Sequence, residues 1–417
     1  MALAQRDVDV AIIGAGTAGI AAARVLVRAG LSVLVLEASS RLGGRCFTDT
    51  ITFNAPFDHG AHWLHAADKN PLVKFGHDLG FALYEDQRTL KLAAPDRLPS
   101  EDETTAYRNA VETGEASIIA AAERGDDGAA AASLPREPAE WRQAVSFRLG
   151  AFDIGRPLSE VSILDFGRVA SGPDLLCRTG LGTLIATLGR GLPIAFNAAV
   201  SAITTGDEGV RIETAQGTLN ARIAIVTVAT DVIAKGMIAF TPALDAQQTA
   251  AFQTLKLSDF LHIGFEIANG VVDIADDTHV FSAVRDERTF AALARSGGSD
   301  VWYVATGGIF ARELEAAGKE TVVSYARDWL ISHFGSDIGP AIRRDAATLW
   351  GRNPYIGGAW SVAPPGQARA RTALREWHAG RVRFAGEAGH DTMWGTVGGA
   401  WESGQEAARQ ALTIVRG

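Results

Sequence analysis

The chain has 417 residues, 47% hydrophobic and 21% charged, and its 48 acidic against 39 basic side chains give a formal charge of −9. That much apolar sequence builds a large core without disulfides, which excludes disorder and fibres, and the length suits two or three domains of about 150 residues or one elaborated α/β unit. The acidic balance argues against nucleic acid or anionic lipid as partner, and two cysteines, Cys46 and Cys177, supply neither a disulfide framework nor a cysteine metal site.

Residues 8–13, Val-Asp-Val-Ala-Ile-Ile, read as a buried strand. The strand runs into Gly14-Ala15-Gly16-Thr17-Ala18-Gly19. A helical composition follows from Ile20 to Ala29, and a second strand over 32–36 ends at Glu37, eighteen positions past Gly19 (37 − 19). Strand, glycine turn, helix, strand and acid make a dinucleotide-binding βαβ unit. Gly14 permits the turn, Gly16 lets the backbone approach a pyrophosphate, and Gly19 lets helix and strand pack closely, while free N–H groups at the helix start face the phosphates. Glu37 is placed to accept hydrogen bonds from ribose hydroxyls and would repel a 2′-phosphate, which disfavours NADP.

Next come Ala38-Ser39-Ser40-Arg41-Leu42-Gly43-Gly44-Arg45, where two glycines expose backbone donors and two arginines neutralise a diphosphate. This stretch resembles the flavin-dependent amine oxidase family, monoamine and polyamine oxidases among them, in which Glu-x-x-x-Arg-x-Gly-Gly-Arg wraps the FAD pyrophosphate. The resemblance continues through Asp58-His59-Gly60-Ala61-His62-Trp63-Leu64-His65 and Asn70-Pro71-Leu72. It is most like the polyamine oxidase branch, where Trp-(Leu/Ile)-His-Gly lies by the flavin. It implies that Gly60, Ala61, His62 and Trp63 flank the isoalloxazine ring, the first two admitting backbone where a larger side chain would clash. Trp63 reads either as ring contact or as core. His65 reads as a substrate-positioning or proton-handling group, or as structural. Ala66 departs from the family glycine, and His59 stands where acidic or apolar residues are frequent.

Residues 101–132 have helical spacing broken at Gly125-Asp126-Asp127-Gly128, and the alanine tract 129–132 reads as a small-residue helix or a surface loop. Residues 192–203 are similar to the family's Pro-Ile-x-x-Asn-x-x-Val-x-x-Ile, which implies that the Val200 backbone pairs with adenine. Runs 209–214 and 218–222 alternate like a hairpin, and 223–229 is a continuous apolar strand. Many relatives hold a water beside flavin N5 with a lysine on a substrate-domain strand. Here that position falls on Phe260 or Leu261, and Lys256 takes it only through a change of register. Residues 312–318 and 320–334 read as amphipathic helices.

Trp350 to Ser361 is similar to the family's Trp-x-x-x-Pro-x-x-x-Gly-(Ser/Ala)-(Tyr/Phe)-Ser, which makes Trp360 one wall of an amine cage. The opposite wall, often tyrosine in relatives, falls on Thr396, with Trp394 nearby. Residues 381–388, a strand closed by Gly386-Glu387, and the helix over 398–412 resemble Phe-Ala-Gly-Glu-Ala-x-His followed by Thr-x-x-Gly-Ala-x-x-Ser-Gly. That pattern puts Glu387 at the FAD ribityl or diphosphate region and the helix start, Thr396-Val397, at the flavin pyrimidine, where a reduced ring carries negative charge.

The resemblance implies an α/β fold: a discontinuous Rossmann-like FAD-binding domain over 1–83, 180–240 and 376–417. An α+β substrate domain is expected over 84–179 and 241–375, in an amine oxidase or p-hydroxybenzoate hydroxylase-like architecture. It implies an FAD-dependent amine oxidase passing a hydride from the amine α-carbon to flavin N5, with O2 or another acceptor reoxidising the flavin. With no cysteine between Leu181 and Gly417, FAD is expected to be non-covalent. Polyamines or other alkylamines lead as substrates, with Glu85, Asp86 and Asp259 as acids for a distal ammonium. The alternatives are a flavin oxidase or dehydrogenase acting on an amino acid, a cyclic amine or a non-amine substrate, or a flavin-binding protein without turnover. An amino acid calls for an arginine among Arg142, Arg148, Arg168 and Arg312. No metal, nucleic acid or membrane partner is expected, the cytoplasm is the expected compartment, and a homodimer is a family-level expectation.

Overall fold

The structure, a computed structural model, describes residues 6–95, 97–283 and 286–417. Strand β1 (Arg6–Ile13) pairs in parallel with β2 (Val33–Leu36), and the chain passes between them through helix α1 (Thr17–Arg28). On the far edge of β1 lies β3 (Gly217–Val226), also parallel, and β4 (Val382–Phe384) pairs in parallel with the end of β3. Ile194–Ala195 extends the layer beyond β2.

The sequence suggests a hairpin arm at 218–222 and a separate strand at 223–229; the structure has the single strand β3 instead. Its first residues pair antiparallel with Gly209–Thr214 and alternate in burial, while Ile223, Ala224, Ile225 and Val226 are buried throughout. One strand therefore serves a one-sided meander and then a two-sided parallel layer, and its composition changes accordingly. The final helix, α2 (Val397–Arg416), packs on α1 so closely that a Cβ on Gly404 would lie 2.1 Å from the Ala18 carbonyl oxygen.

A second sheet orders Ile342–Ala347, Phe260–Ile267, Val301–Gly307, Ala291–Ala294, Thr278–Ser282 and Leu90–Ala93. Its pairings are antiparallel except the last. Along Phe260–Ile267 the side chains alternate. Leu261, Ile263 and Phe265 enter a core with Val322, Ala326 and Leu330 of the helix Lys319–Phe334, whereas Phe260 and His262 face a cavity.

Against the second sheet pack Glu101–Glu123, whose start is closed by a reciprocal Ser100–Glu103 capping box, and a π-helical turn, Phe147–Phe152. The alanine tract forms a 3-10 turn, Ala130–Ser133, with Ala130 buried in the core. Among the described residues no helix is long and apolar enough to cross a membrane.

Candidate active site

A cavity of about 770 Å³ extends from the glycine turn after β1 to the aromatic side chains of Phe260 and Trp360. That volume falls within the range of ligand sites. Lining it are the residues expected at the cofactor and the amine cage, with His65, but not Gly19 or Trp394.

At the nucleotide end, Gly14 holds φ +104°, a turn conformation that favours glycine, and a Cβ on Gly19 would lie 1.9 Å from the Gly14 oxygen. A Cβ on Gly16 would meet nothing within 4 Å, so the backbone there borders open cavity. Gly16 is also the N-cap of α1, and no side chain caps that helix, which leaves its first N–H groups to an anion in the cavity. Arg41 faces the same space with no carboxylate within ion-pair distance among the described residues. Its guanidinium lies 4.4 Å over the Phe47 ring, and burial lowers its pKa. A charged, half-buried guanidinium beside an uncapped helix start and an open glycine fits a diphosphate. Glu37 Oε2 accepts from Ala15 N (2.7 Å) and Oε1 from both Ser39 N and Ser39 Oγ, so the protein orients the carboxylate before any ribose arrives. The Val200 backbone borders the cavity between Ala199 and Ser201.

Arg45 and Glu387, two separate cofactor candidates, pair with each other at 3.0 Å. Glu387 also accepts from Ser361 N and Oγ (3.1 and 2.7 Å) and Gly395 N (2.9 Å), which occupies about all the acceptor positions of a carboxylate. Burial opposes its ionisation, yet Arg45, Arg371, Ser361 and Gly395 together hold its pKa below the ordinary range. Glu387 thus joins three chain segments rather than presenting a free carboxylate to a ligand. Behind it, Arg371 grips Asp165 with a bidentate fork (2.7 and 2.6 Å), both side chains almost fully buried.

One expectation is corrected. Trp394 forms no cavity wall: its indole N–H donates to the Asp165 carbonyl oxygen and its face covers the Arg371 guanidinium, so it belongs to the core behind the site. Gly60 borders the cavity, and the protein itself requires glycine there, because a Cβ would stand 1.9 Å from the Arg45 carbonyl oxygen. Thr396 does border the cavity, but its hydroxyl donates to Met393 O and accepts from Gly399 N as the N-cap of α2, so it presents a helix start rather than an aromatic wall.

The ring end is apolar. Phe260 lies 5.1 Å from Trp360 and 6.0 Å from Phe152 between ring centroids, and His262 stands beside Phe260 with its pKa pushed down to about 3 by burial and the neighbouring His62. No lysine is among the cavity residues, and Lys256 is exposed elsewhere. His62 is held by Asp58 at 2.9 Å, a carboxylate that also accepts the Leu181 and Gly182 amides.

Beyond the aromatic slot lies a charged arm that sequence reasoning did not assemble. Asp86 accepts from Trp63 Nε1 (2.8 Å), His279 Nε2 (2.9 Å) and Arg88 N (2.9 Å). Burial opposes its ionisation, but His279, Arg88 N–H and Trp63 bring its pKa to about 2. Asp174 takes His65 Nδ1 (3.1 Å), the Arg88 guanidinium and Ala66 N. Across the arm Arg148 of the π-helical turn pairs with Asp153, the residue that follows the turn. Of the acids expected to hold a distal ammonium only Asp86 borders the cavity, Asp259 being engaged by Arg312; of the four candidate arginines only Arg148 does. Arg88, Asp174 and His279 lay outside the family motifs, and only their mixture of charge and imidazole in separate strands and loops hinted at a site.

A family model described as flavin containing amine oxidoreductase matches residues 17–412. Polyamine oxidase 4 of Oryza sativa subsp. japonica is 27% identical over 442 aligned residues, covering 96% of this chain and 88% of that protein. Lysine-specific histone demethylase 1 homolog 1 of the same organism is 28% identical over 452 residues, with 98% of this chain matching 52% of the relative, about half its length. Among solved structures, wild-type putrescine oxidase bound to putrescine superposes with a TM-score of 0.83 at 19% identity, covering 98% of this chain and 100% of that one. It shares the mixed α/β fold.

Proposed function

The chain belongs to the flavin-containing amine oxidoreductases, and from that premise we propose that it binds FAD non-covalently and oxidises the C–N bond of an amine. The observation that carries this reading is one cavity joining an uncapped helix start, an open glycine and an arginine with no carboxylate partner among the described residues to a slot between Phe260 and Trp360. Bound FAD supplies the acceptor for a hydride from the carbon beside the amine nitrogen, leaving an imine for hydrolysis, with O2 the expected final acceptor and H2O2 its product.

The chain's own residues hold and shield the reactants. Phe152, Phe260 and Trp360 line the slot and limit water around the reacting carbon. Asp174 holds the His65 ring at Nδ1, which leaves Nε2 for the amine side of the cavity. The start of α2 at Thr396-Val397 directs its N–H groups and positive dipole end at the cavity, where negative charge on the cofactor ring is stabilised. Non-covalent attachment is supported by the thiols: Cys46 borders the cavity among the nucleotide-end residues, and burial holds its pKa well above the ordinary value, so it stays an unreactive thiol.

A panel of amines mixed anaerobically with the yellow holoprotein tests the reading. At least one amine bleaches the flavin band and releases peroxide on aeration; a fully FAD-loaded protein that no amine reduces would overturn it. With Phe260 in place of the family's lysine, reoxidation by oxygen is expected to be slow, and Phe260→Lys to accelerate it in stopped-flow mixing. Fast reoxidation of the unaltered protein would defeat that expectation.

A further inference from the structure

Resting on the amine-oxidising reading, we infer that the substrate is an amine whose far end is a hydrogen-bond acceptor, a carboxylate by charge, seated on Arg88, and not a diamine. The argument starts from which charges of the arm a ligand can reach. The Asp86 side chain is 0% exposed and that of Asp174 4%. Trp63, His279, Arg88 and His65 cover them from the cavity side and occupy their oxygens. A second ammonium finds no accessible anion at either acid, and taking it out of water unpaired is unfavourable.

The exposed groups of this wall are donors. Arg88 is 54% exposed and His65 46%. Among the described residues Arg88 is engaged at one terminal nitrogen, Nη2, by Asp174, which leaves the rest of its donor fork for a ligand. His65, held at Nδ1 by the same Asp174 oxygen, presents its other nitrogen beside that fork. Opposite, Asp153 is 33% exposed, but the Arg148 guanidinium it pairs with cancels its charge. The exposed groups left without a full counter-charge are therefore donors, which matches a carboxylate first, an amide or carbonyl second and an ammonium last.

Four amines of one chain length that differ only in the far group test this: pentylamine, 5-aminopentanoate, 5-aminopentanamide and pentane-1,5-diamine. Each is mixed anaerobically with the holoprotein at low salt, and the flavin-reduction rate is followed against concentration. The carboxylate is expected to exceed the diamine by roughly tenfold or more in the limiting reduction rate divided by the apparent Kd, mainly through Kd, with the amide between them. Added salt narrows the gap because Arg88 is half exposed. Arg88→Gln is expected to lose the carboxylate's advantage over pentylamine, and Arg88→Lys to restore part of it, with the flavin spectrum confirming folded, loaded protein. A diamine that reacts best, or four equal amines, would overturn the inference and leave amine oxidation standing. Reduction by none of a broad amine panel would take down both.

Discussion

The two ends of the cavity are built by different means. The nucleotide end is main chain: a glycine turn, an uncapped helix start and the Gly16 backbone against open space, all within one short stretch. The charged arm is side chain, its Asp86, Arg88, Asp174 and His279 delivered by separate elements and held by one another and by Trp63, His65 and the Ala66 amide. A shared ligand is met by backbone geometry, which few substitutions alter, and a particular ligand by side chains, which single substitutions change.

The sharpest way to break this contrast is to remove what joins the two ends. Arg371→Met strands a buried Asp165 carboxylate and loosens Ser361 and Glu387, and should lower stability by about 3–5 kcal/mol, read as a shift of the urea midpoint. An unchanged midpoint would show that the pair is not what holds this region. Gly16→Leu places a side chain in the open cradle, where no protein atom lies within 4 Å of its Cβ. It should give folded, colourless protein with the unaltered circular dichroism spectrum, and retention of the yellow cofactor would move the phosphates elsewhere. Trp360→Ala should keep the flavin and lower kcat/KM for amines by roughly 10–100-fold through loss of orientation, and unchanged kinetics would remove the residue from the slot.

The smallest effect sharpens the arm. Asp86 has a folded pKa of about 2 against the ordinary 3.8, so its contribution to stability is fully present above 3.8 and is lost as the pH falls through about 2. The stability difference between the unaltered protein and Asp86→Asn should therefore be constant from neutrality to about pH 4 and shrink below it. A difference that grew on acidification would contradict the sign of the shift.

What the sequence disclosed follows the same division. The β1, turn and α1 unit and the start of α2 were legible because the glycines, the apolar run and the acid are neighbours, and the physics that requires them acts locally. Of Phe260 and Leu261, the two residues the sequence offered for the lysine position, strand alternation turns Phe260 to the cavity and Leu261 to the core. Trp394 misled because closeness along the chain to a cavity residue says nothing about which side of the wall a side chain takes. The arm was illegible for a related reason: Asp86 and Asp174 become partners of one wall only when Trp63–Leu64, Leu83–Glu85 and Leu175–Cys177 form their small sheet. Nothing in the spacing of residues 86 and 174 announces that.

The Arg45–Glu387 ion pair has a consequence for biogenesis. Its two halves are 342 positions apart, one near the amino terminus and one near the carboxyl terminus. A nascent chain leaving the ribosome carries the glycine turn early, yet the carboxylate that steadies Arg45, Ser361 and the approach to the last helix is translated almost at the end. An ion pair of this span closes only when almost the whole chain has been made, and a chain ending upstream of Glu387 leaves Arg45 without its counter-charge.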